Sequence, residues 1–417
     1  MKMNKWTVGL TALGVVSLAS AVRAEEKMSA VQTALSATTL SGYVDTSAQF
    51  NPGPGASMNV PGYYLNDPRY ANGFNLDVVG LTVEKALTDA EWDAGYKADL
   101  WMGPAANNLG STSTFGGTTS DFAIKQAYVA LRAPLGTGLN LKMGVFDSPI
   151  GYESIVSGAN PNFTRSYGCT MEPSTFTGLL ASYQVVEMVK LTAGVADTYG
   201  SQINQRIVVE SGGTKPASFL TYMGAVEVTA PESTGFLQGS KLYAGIINGF
   251  NSSTPAGGDG FTGGQNADQT SFYVGATVNT PIKELKAGVA YDYVSVNSQM
   301  LTSFNSGYAN AIAGYLSFQA TEKMSLHGRA EYATHGGGTI STFDGTTATT
   351  SIPNRVLALT GTVQYDLWAN VITRLEARFD RDLNGANSFG WDPNAGITGS
   401  PTSQNAFLLA LNVIYKF

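Results

Sequence analysis

The segment at 371–380 constrains the fold of this chain more than any other. Small and apolar residues occupy every second position from 371 to 379, whereas four consecutive positions of the opposite face are ionised. These four residues are Arg374, Glu376, Arg378 and Asp380. A period of two residues predicts a β-strand, because successive side chains of a strand point to opposite faces. One face of this strand therefore needs a polar environment, and the other face needs an apolar one.

The same alternation recurs along the chain in segments separated by clusters of Gly, Asn, Ser, Thr and Pro. Sixteen segments fit it, at about 40–50, 73–84, 92–102, 121–132, 139–146, 176–184, 189–196, 219–229, 240–249, 270–279, 285–294, 309–319, 324–333, 355–366, 371–380 and 406–417. Apolar residues at helical spacing are hard to find. The chain is therefore predicted to be all-β.

The environment of the apolar faces follows from segment length and charge. In a soluble β-sandwich the apolar face is a core of β-branched residues and Leu, whereas here these faces are rich in Gly, Ala and Tyr. A tilted strand of about 9–11 residues crosses the hydrocarbon of a bilayer, and an arginine at the midplane of the lipid face costs about 2–4 kcal/mol. The face with Arg374 and Arg378 must therefore line a lumen, and the apolar face must meet lipid.

The connections between the segments predict the topology. Eight long connections alternate with seven short ones, which is the pattern of bacterial outer-membrane barrels with long outer loops and short periplasmic turns. We predict a transmembrane, antiparallel, up-and-down β-barrel of about sixteen strands with periplasmic termini, and fourteen or eighteen strands remain open alternatives. In the segment 73–84 the apolar residues change face between Leu76 and Val79, which predicts a β-bulge.

The N-terminus has the features of a targeting segment. A pair of lysines precedes an apolar run from Trp6 to Leu18, and Ala24 ends a small-residue cleavage site. This is the pattern of a secretory signal peptide, and the run is shorter than the roughly 20 residues of a spanning helix. The predicted organisation is a signal peptide at 1–24, a periplasmic segment at 25–39 and an outer-membrane barrel at 40–417. Without residues 1–24 the chain has 21 positive and 31 negative charges, a net charge of −10.

Composition argues against several classes of site. A single cysteine, Cys169, rules out a disulfide framework and a multi-cysteine metal site, and two histidines do not make a histidine-rich one. The acidic pI of about 5.0 argues against nucleic-acid binding. His327 is the one candidate for a catalytic base, and no Ser or carboxylate partner motif stands near it in the sequence. We therefore expect no enzyme, no cofactor and no metal.

Four stretches carry motifs of a known family. They are Gly73-Phe74-Asn75-Leu76, Phe122-Ala123-Ile124-Lys125-Gln126-Ala127-Tyr128-Val129, Gly144-Val145-Phe146-Asp147 with Ile150-Gly151-Tyr152-Glu153, and the terminal Asn412-Val413-Ile414-Tyr415-Lys416-Phe417. With them the mature chain resembles the β-barrel porins described as OmpL-like. The resemblance implies an outer-membrane porin and, because porins of this size are commonly trimers, a homotrimer by analogy. Outward small residues such as Gly42, Ala48 and Gly80 are compatible with close packing between barrels.

Charged inward residues are the candidate site. The charged ladder, as we name it, consists of Arg329, Glu331, Arg374, Glu376, Arg378 and Asp380. Asp93, Lys97 and Asp99 hold matching inward positions in the segment 92–102. These nine residues are predicted to line a polar pore, where rings of charge act on passing ions. The alternative is that they pair with one another as part of the barrel wall.

The longest connection, 147–175, is the candidate for a pore constriction. It contains Arg165 close to Phe163 and Tyr167. In sixteen-stranded porins a long loop folds inward and narrows the pore, so Arg165 is a candidate for the constriction. The alternative is an exterior loop.

The predicted function is passive diffusion of small hydrophilic solutes or ions through a water-filled lumen in the bacterial outer membrane, because sixteen strands enclose more space than side chains fill. Predicted partners are outer-membrane lipids and the barrel-assembly machinery, through the C-terminal strand that ends at Phe417. The alternative is a structural or surface-interaction barrel with an occluded lumen. Occupancy of the lumen, above all by the connection 147–175, distinguishes the two.

Overall fold

The computed structural model describes residues 37–51, 72–109, 111, 121–206, 220–251, 267–297, 307–336, 354–385, 387–389 and 402–417. The predicted signal peptide at 1–24 and most of the segment at 25–39 lie outside these residues. No helix in the described part of the chain is long and apolar enough to span a membrane.

Sixteen antiparallel β-strands form one closed barrel. They are β1 (Thr39–Phe50), β2 (Gly73–Lys85), β3 (Asp93–Met102), β4 (Phe122–Ala133), β5 (Leu139–Asp147), β6 (Thr175–Val186), β7 (Val189–Ala196), β8 (Thr221–Thr229), β9 (Lys241–Asn251), β10 (Ala267–Asn279), β11 (Leu285–Asn297), β12 (Gly307–Gln319), β13 (Met324–Gly336), β14 (Arg355–Trp368), β15 (Val371–Asp382) and β16 (Asn405–Lys416). Each strand pairs with its neighbours along the chain, and β1 closes the ring on β16. The predicted up-and-down barrel and its strand number are confirmed.

Short turns and long connections alternate around the barrel. The turn between β14 and β15 consists of residues 369 and 370, and Asn370 has a φ of 66°. Asparagine tolerates this left-handed conformation better than most residues. The carbonyl of Asn370 also accepts a hydrogen bond of 2.8 Å from the backbone N–H of Lys416. The tight turn therefore also holds the end of the last strand.

The residues of strand β16 alternate between an exposed outward face and a buried inward face, as the sequence predicts. The outward residues Phe407, Leu411 and Tyr415 are 36%, 48% and 49% exposed. The inward residues between them are almost completely buried, and Asn412 is 0% exposed. Because the exposed side chains are the large apolar ones, this surface suits hydrocarbon and not water.

A bulge keeps the apolar residues of β2 on the outside. Neighbouring residues Asp45 and Thr46 of β1 face Val78 and Leu76 of β2, so Asp77 is an additional residue in β2. The predicted bulge is confirmed. It moves the outward face of β2 by one residue, which is how the strand remains apolar towards the lipid before and after it.

Gly80 faces the lumen, contrary to the prediction. It lies opposite Tyr43 in the β1–β2 register, and the Tyr43 ring occupies the space that a Gly80 side chain would need. Tyr43 shares its face of β1 with the buried Asp45, Ser47 and Gln49 and packs against an apolar cluster of the interior, which places its ring inside the barrel. The prediction failed because the bulge at Asp77 changes the face of every later residue of β2.

Two apolar clusters occupy parts of the barrel interior. The first includes a short helix after β3, α1 (Pro104–Asn108), and part of a second, α2 (Tyr167–Met171), in the β5–β6 connection. Its larger side chains are Trp101, Leu109, Phe163, Tyr167, Met171, Phe389 and Leu408. The second cluster, near β5–β12, has Phe146, Ile150, Phe176, Leu180, Tyr199, Met223, Ile247, Tyr273 and Tyr315 as its larger members. These side chains fill part of the space that the strands enclose, so the open lumen is narrower than the ring of strands.

Candidate functional site

Residues 148–174, here named the internal loop, connect β5 to β6 and lie inside the barrel. Strands β5 and β13 are on opposite sides of the ring. Nevertheless, the backbone N–H of Tyr167 in the loop donates to Glu331 of β13 at 2.6 Å. Lys416 of β16 donates to the carbonyl of Gly158 at 3.2 Å. A loop that starts at β5 can make these contacts only from within the lumen, which it narrows.

The internal loop follows the inner face of β9–β16. The Tyr152 hydroxyl lies 3.5 Å from Thr277 of β10, and the Tyr152 ring stacks on Tyr315 of β12 with centroids 4.2 Å apart. Glu153 then pairs with Arg329 of β13 at 2.9 Å. We call the inner face of β9–β16 the covered wall and the inner face of β2–β8 the open wall.

Two carboxylates of the charged ladder hold the backbone of the loop. Glu376 accepts hydrogen bonds from the backbone N–H groups of Phe163 at 2.6 Å and Thr164 at 2.9 Å, and from the Thr164 hydroxyl at 2.6 Å. Glu331 accepts the bond from Tyr167 described above. Hydrogen bonds to a carboxylate are about twice as strong as neutral ones. The three loop amides are thus fixed to the covered wall.

Three guanidinium groups of the ladder hold the loop carbonyls. Arg329 donates to the carbonyl of Thr164 at 2.7 Å, and Arg378 donates to that of Arg165 at 2.5 Å. Arg374 donates to three carbonyls, those of Ser157 at 3.1 Å, Asn160 at 2.9 Å and Asn162 at 3.2 Å. Because these bonds go to the backbone, the path of the loop is fixed by the ladder more than by the loop's own side chains.

The ladder residues also pair with one another. Arg329 lies 3.1 Å from Glu331, and Arg378 lies 3.6 Å from Glu331 and 2.8 Å from Asp380. The side chains of these four residues are at most 1% exposed. Removing one partner from such a buried network typically costs about 3–5 kcal/mol, because the other charge is left uncompensated. The structure thus places the ladder on the inner face of the barrel but beneath the loop.

Arg165 lies within the internal loop and is 2% exposed. Its guanidinium group donates to the carbonyl of Phe163 at 2.7 Å and to that of Ile155 at 3.0 Å. It therefore joins the outgoing and returning arms of the loop to each other. In this position Arg165 stabilises the shape of the loop that narrows the lumen, and its own side chain is not exposed to the lumen.

The three predicted residues of β3 lie on the open wall. Lys97 is 3.5 Å from Glu84, and its side chain is 21% exposed. Asp99 is 3.6 Å from Lys125, and its side chain is 7% exposed. Asp93 accepts hydrogen bonds from the turn between β2 and β3. The structure therefore does not bring these residues into contact with the charged ladder.

Several charged side chains of the open wall are accessible to solvent, although those of Asp99 and Lys125 are buried. Glu84 of β2 is 34% exposed, Asp147 at the end of β5 is 41% exposed, and Glu227 of β8 is 23% exposed. They stand on inward faces near both ends of the barrel. This contrasts with the buried ladder on the other half of the ring.

Sequence reasoning missed two features of the site. Lys142 of β5 and Lys190 of β7 are inward residues of the open wall, and the period-two alternation of their segments is the signal that could have identified them. The second feature is a contact between the carboxyl groups of Glu172 and Asp292, which joins the root of the internal loop to β11. No local pattern indicates this long-range contact.

The Glu172–Asp292 contact predicts a pH dependence of stability. Burial, followed by the nearby Asp292 carboxylate, raises the pKa of Glu172 well above its ordinary value. A raised pKa means that the folded state holds a proton that the unfolded state releases, so this stability is complete below about pH 4.5 and is lost as pH rises through the folded pKa. We measure the temperature at which the folded barrel changes its migration in gel electrophoresis. This temperature should fall between about pH 5 and pH 8, and it should fall more steeply for wild type than for Glu172→Gln. Parallel curves for the two proteins would contradict the assignment.

Cys169 is predicted to be unreactive in the folded protein. It is 8% exposed, and burial, followed by nearby Glu153 and Glu172, raises the pKa of its thiol. Since the thiolate is the reactive form, we expect a maleimide reagent to label it only after unfolding in denaturant. Mass spectrometry of folded and unfolded samples measures this, and rapid labelling of the folded barrel would be inconsistent with the buried position.

His327 is enclosed by two serines. Its ring nitrogens lie 2.8 Å from the hydroxyl of Ser325 and 2.9 Å from that of Ser317. Within the described residues, no carboxylate is hydrogen-bonded to this histidine, so the third member of a catalytic triad is not provided there. These residues also form no cluster of three or more His, Cys, Asp or Glu side chains that could hold a metal ion.

The comparisons with known proteins agree with this geometry. The family model described as "beta-barrel porin-2, OmpL-like" matches residues 37–417. The chain belongs to this porin family. It has no match among curated protein sequences.

Solved structures resemble the chain in fold. An anion-selective porin from Comamonas acidovorans has a TM-score of 0.59 and 11% identity, with 91% of this chain and 99% of that chain covered. The outer membrane channel DcaP of Acinetobacter baumannii has 0.57 and 12%, with 91% and 97% covered. OmpT of Vibrio cholerae, expressed in the outer membrane, has 0.55 and 11%, also with 91% and 97% covered. At these identities the likeness of the porin-family chain to these structures concerns the fold.

Proposed function

We propose that the protein is a non-enzymatic outer-membrane porin through which small hydrophilic solutes or ions diffuse passively. The observation that carries this proposal is the division of the lumen into two halves. On the open wall, Asp99 and Lys125 are paired with each other and buried. Several other charged side chains of that wall, namely those of Lys97, Glu84 and Asp147, keep 21–41% exposure, whereas those of the ladder are almost fully buried. Water therefore has a path beside the internal loop.

The internal loop defines the width of this path. The side of the loop that faces away from the covered wall includes Ala159, which is exposed, and Ile155 and Val156, which are half-buried. The charged ladder holds the other side of the loop on the covered wall. In this proposal the ladder is a support for the constriction, and Asp93, Lys97 and Asp99 belong to the wall along which solutes pass.

Family membership supports a proposal about location and assembly. The proposal places the barrel in the bacterial outer membrane after removal of a signal peptide, with both termini in the periplasm and lipid around its apolar surface. Insertion would use the barrel-assembly machinery and the terminal strand that ends at Phe417. A homotrimer is the proposed assembly, by analogy with porins of this size.

Single-channel recording in a planar bilayer tests the proposal. We expect the purified, refolded barrel, checked by its heat-modifiable migration, to give stable conductance steps on the order of a nanosiemens, as befits a sixteen-stranded pore with a partly filled lumen. A correctly folded barrel without any conductance would overturn the diffusion function.

The competing function is that of a structural or surface-interaction barrel with an occluded lumen. The observation in its favour is the pair of apolar clusters, which bring Trp101, Phe163 and Tyr199 into the barrel interior. Absence of conductance together with native heat modification would support it.

A further inference from the structure

Three lysines stand on alternate strands of the open wall. They are Lys97 of β3, Lys142 of β5 and Lys190 of β7, here named the lysine row. Each points inward, because a neighbouring residue on the same strand is a large, exposed apolar residue. These neighbours are Tyr96 at 39%, Met143 at 71% and Leu191 at 46% exposure. The row is on the open wall, opposite the wall to which the charged ladder binds the internal loop.

The three positive charges are close enough to act on one another. The other two lysines of the row both act unfavourably on the charged state of Lys142. Asp147 and Glu84 act favourably on it, and Asp147 acts most strongly of the four. The Lys142 ammonium group lies 4.7 Å from the centroid of the Tyr128 ring, which faces the same part of the lumen. A cation–π contact of this kind stabilises an ammonium group without neutralising it. The row is thus a group of neighbouring cations with the carboxylates of Glu84 and Asp147 at its edge.

Carboxylates neutralise the lysine row only in part. Lys97 lies 3.5 Å from Glu84, but in the described part of the chain neither Lys142 nor Lys190 has an acidic group at ion-pair distance. Glu227 stands opposite Lys190 in the β7–β8 register, but it pairs with Lys241. Other inward cations are paired closely, as Lys125 is with Asp147 at 2.8 Å. A small anion in the passage would supply the negative charge that Lys142 and Lys190 do not find at ion-pair distance in the wall.

The acidic charge of the whole chain does not oppose this local effect. Several inward carboxylates are buried and hydrogen-bonded, such as Asp45 and Glu376, both 0% exposed. Charges on exposed turns and outer loops are screened beyond about 8–10 Å at physiological salt. The accessible carboxylates of the open wall, Glu84, Asp147 and Glu227, are each paired with a lysine. The lysines of that wall without such a partner therefore decide selectivity more than the net charge of −7 does.

We propose that the lysine row makes the passage prefer small anions, above all oxyanions with a carboxylate or phosphate group, over cations of similar size. The inference rests on the proposed diffusion function. Each ammonium group offers three hydrogen-bond donors, and carboxylate and phosphate oxygens form charge-assisted bonds with such donors. Bonds shared among three lysines would let an oxyanion pass from one to the next.

Reversal potentials across the mature barrel in a KCl gradient test this inference. We expect a sign that corresponds to preference for chloride over potassium. The double variant Lys142→Gln, Lys190→Gln should lower the permeability ratio of chloride to potassium about two- to fivefold, as expected for two nearby charges in a largely aqueous, screened passage. We then replace KCl by potassium acetate or potassium phosphate and measure how much the current falls. The current through wild type should fall less than the current through the double variant.

The matched control is the double variant Lys283→Gln, Lys323→Gln. It removes the same charge from exposed turns at the same end of the barrel and should leave the permeability ratio unchanged. Cation preference in wild type, or equal effects of the two double variants, would overturn the inference while a conducting pore still supports the diffusion function. Only a folded barrel that does not conduct would remove both.

Discussion

Replacement of Glu376 by alanine is expected to release the internal loop from the covered wall. Glu376 is 0% exposed and accepts bonds from Phe163, Thr164 and Thr362. Its removal leaves buried amides without acceptors and the ladder arginines with less compensation, at a cost of about 3–5 kcal/mol. Because the strand ladder around Glu376 is unaffected, we expect the loop to detach before the barrel unfolds. Single-channel recordings should change from a steady current to frequent transitions between levels.

Two variants make the Glu376 experiment specific. Glu376→Gln retains the shape and one acceptor oxygen, so we expect fluctuations between those of wild type and Glu376→Ala. Glu322→Ala removes the same charge from an exposed turn and should keep the steady current. Steady current in Glu376→Ala would show that the ladder does not hold the loop.

Introduction of arginine at position 375 is expected to destabilise the barrel by about 2–4 kcal/mol, the cost of this side chain near the middle of the lipid face. Leu375 is 57% exposed and stands between Arg374 and Glu376, which are at most 1% exposed. The change adds a guanidinium group one residue from that of Arg374, on the lipid face of β15 instead of the lumen face. Equilibrium unfolding by guanidinium chloride in phospholipid vesicles measures the difference.

Leu375→Ala is the control for loss of the leucine side chain. It removes apolar surface without adding charge, and we expect a smaller destabilisation, about 1–2 kcal/mol by the area that it takes from the apolar environment. Equal stability of the arginine and alanine variants would contradict the orientation of β15 in the membrane.

The barrel could be predicted from sequence because its two environments differ so strongly. The ionised face of 371–380 can only line the lumen, and the apolar face of 406–417 can only face the lipid. The short turns then place consecutive strands side by side. The bulge at Asp77 could also be predicted, from the change of face after Leu76. The orientation of Gly80 could not be obtained without applying that bulge to every later residue.

The contacts of the internal loop could not be predicted from sequence. Arg374 and Glu376 are inward by alternation, but their partners are backbone groups more than 200 residues away, which carry no side-chain signature. Alternation identifies the face of a charge and not whether a loop covers it. Lys142 and Arg378 occupy equivalent positions in the pattern, yet one lies on the open wall and the other beneath the loop.

Thiol accessibility on the two halves of the lumen distinguishes an open wall from a wall covered by the internal loop. In a Cys169→Ser background, Thr192→Cys would report on the open wall, and Thr362→Cys would report on the covered wall, where the native threonine is 3% exposed and bonded to Asn162 at 2.7 Å. We predict that a membrane-impermeant methanethiosulfonate reagent modifies Thr192→Cys and lowers its current, and modifies Thr362→Cys only after unfolding. Equal modification of both, modification of Thr362→Cys alone, or protection of both in the folded barrel would contradict a water path beside a loop held by the charged ladder.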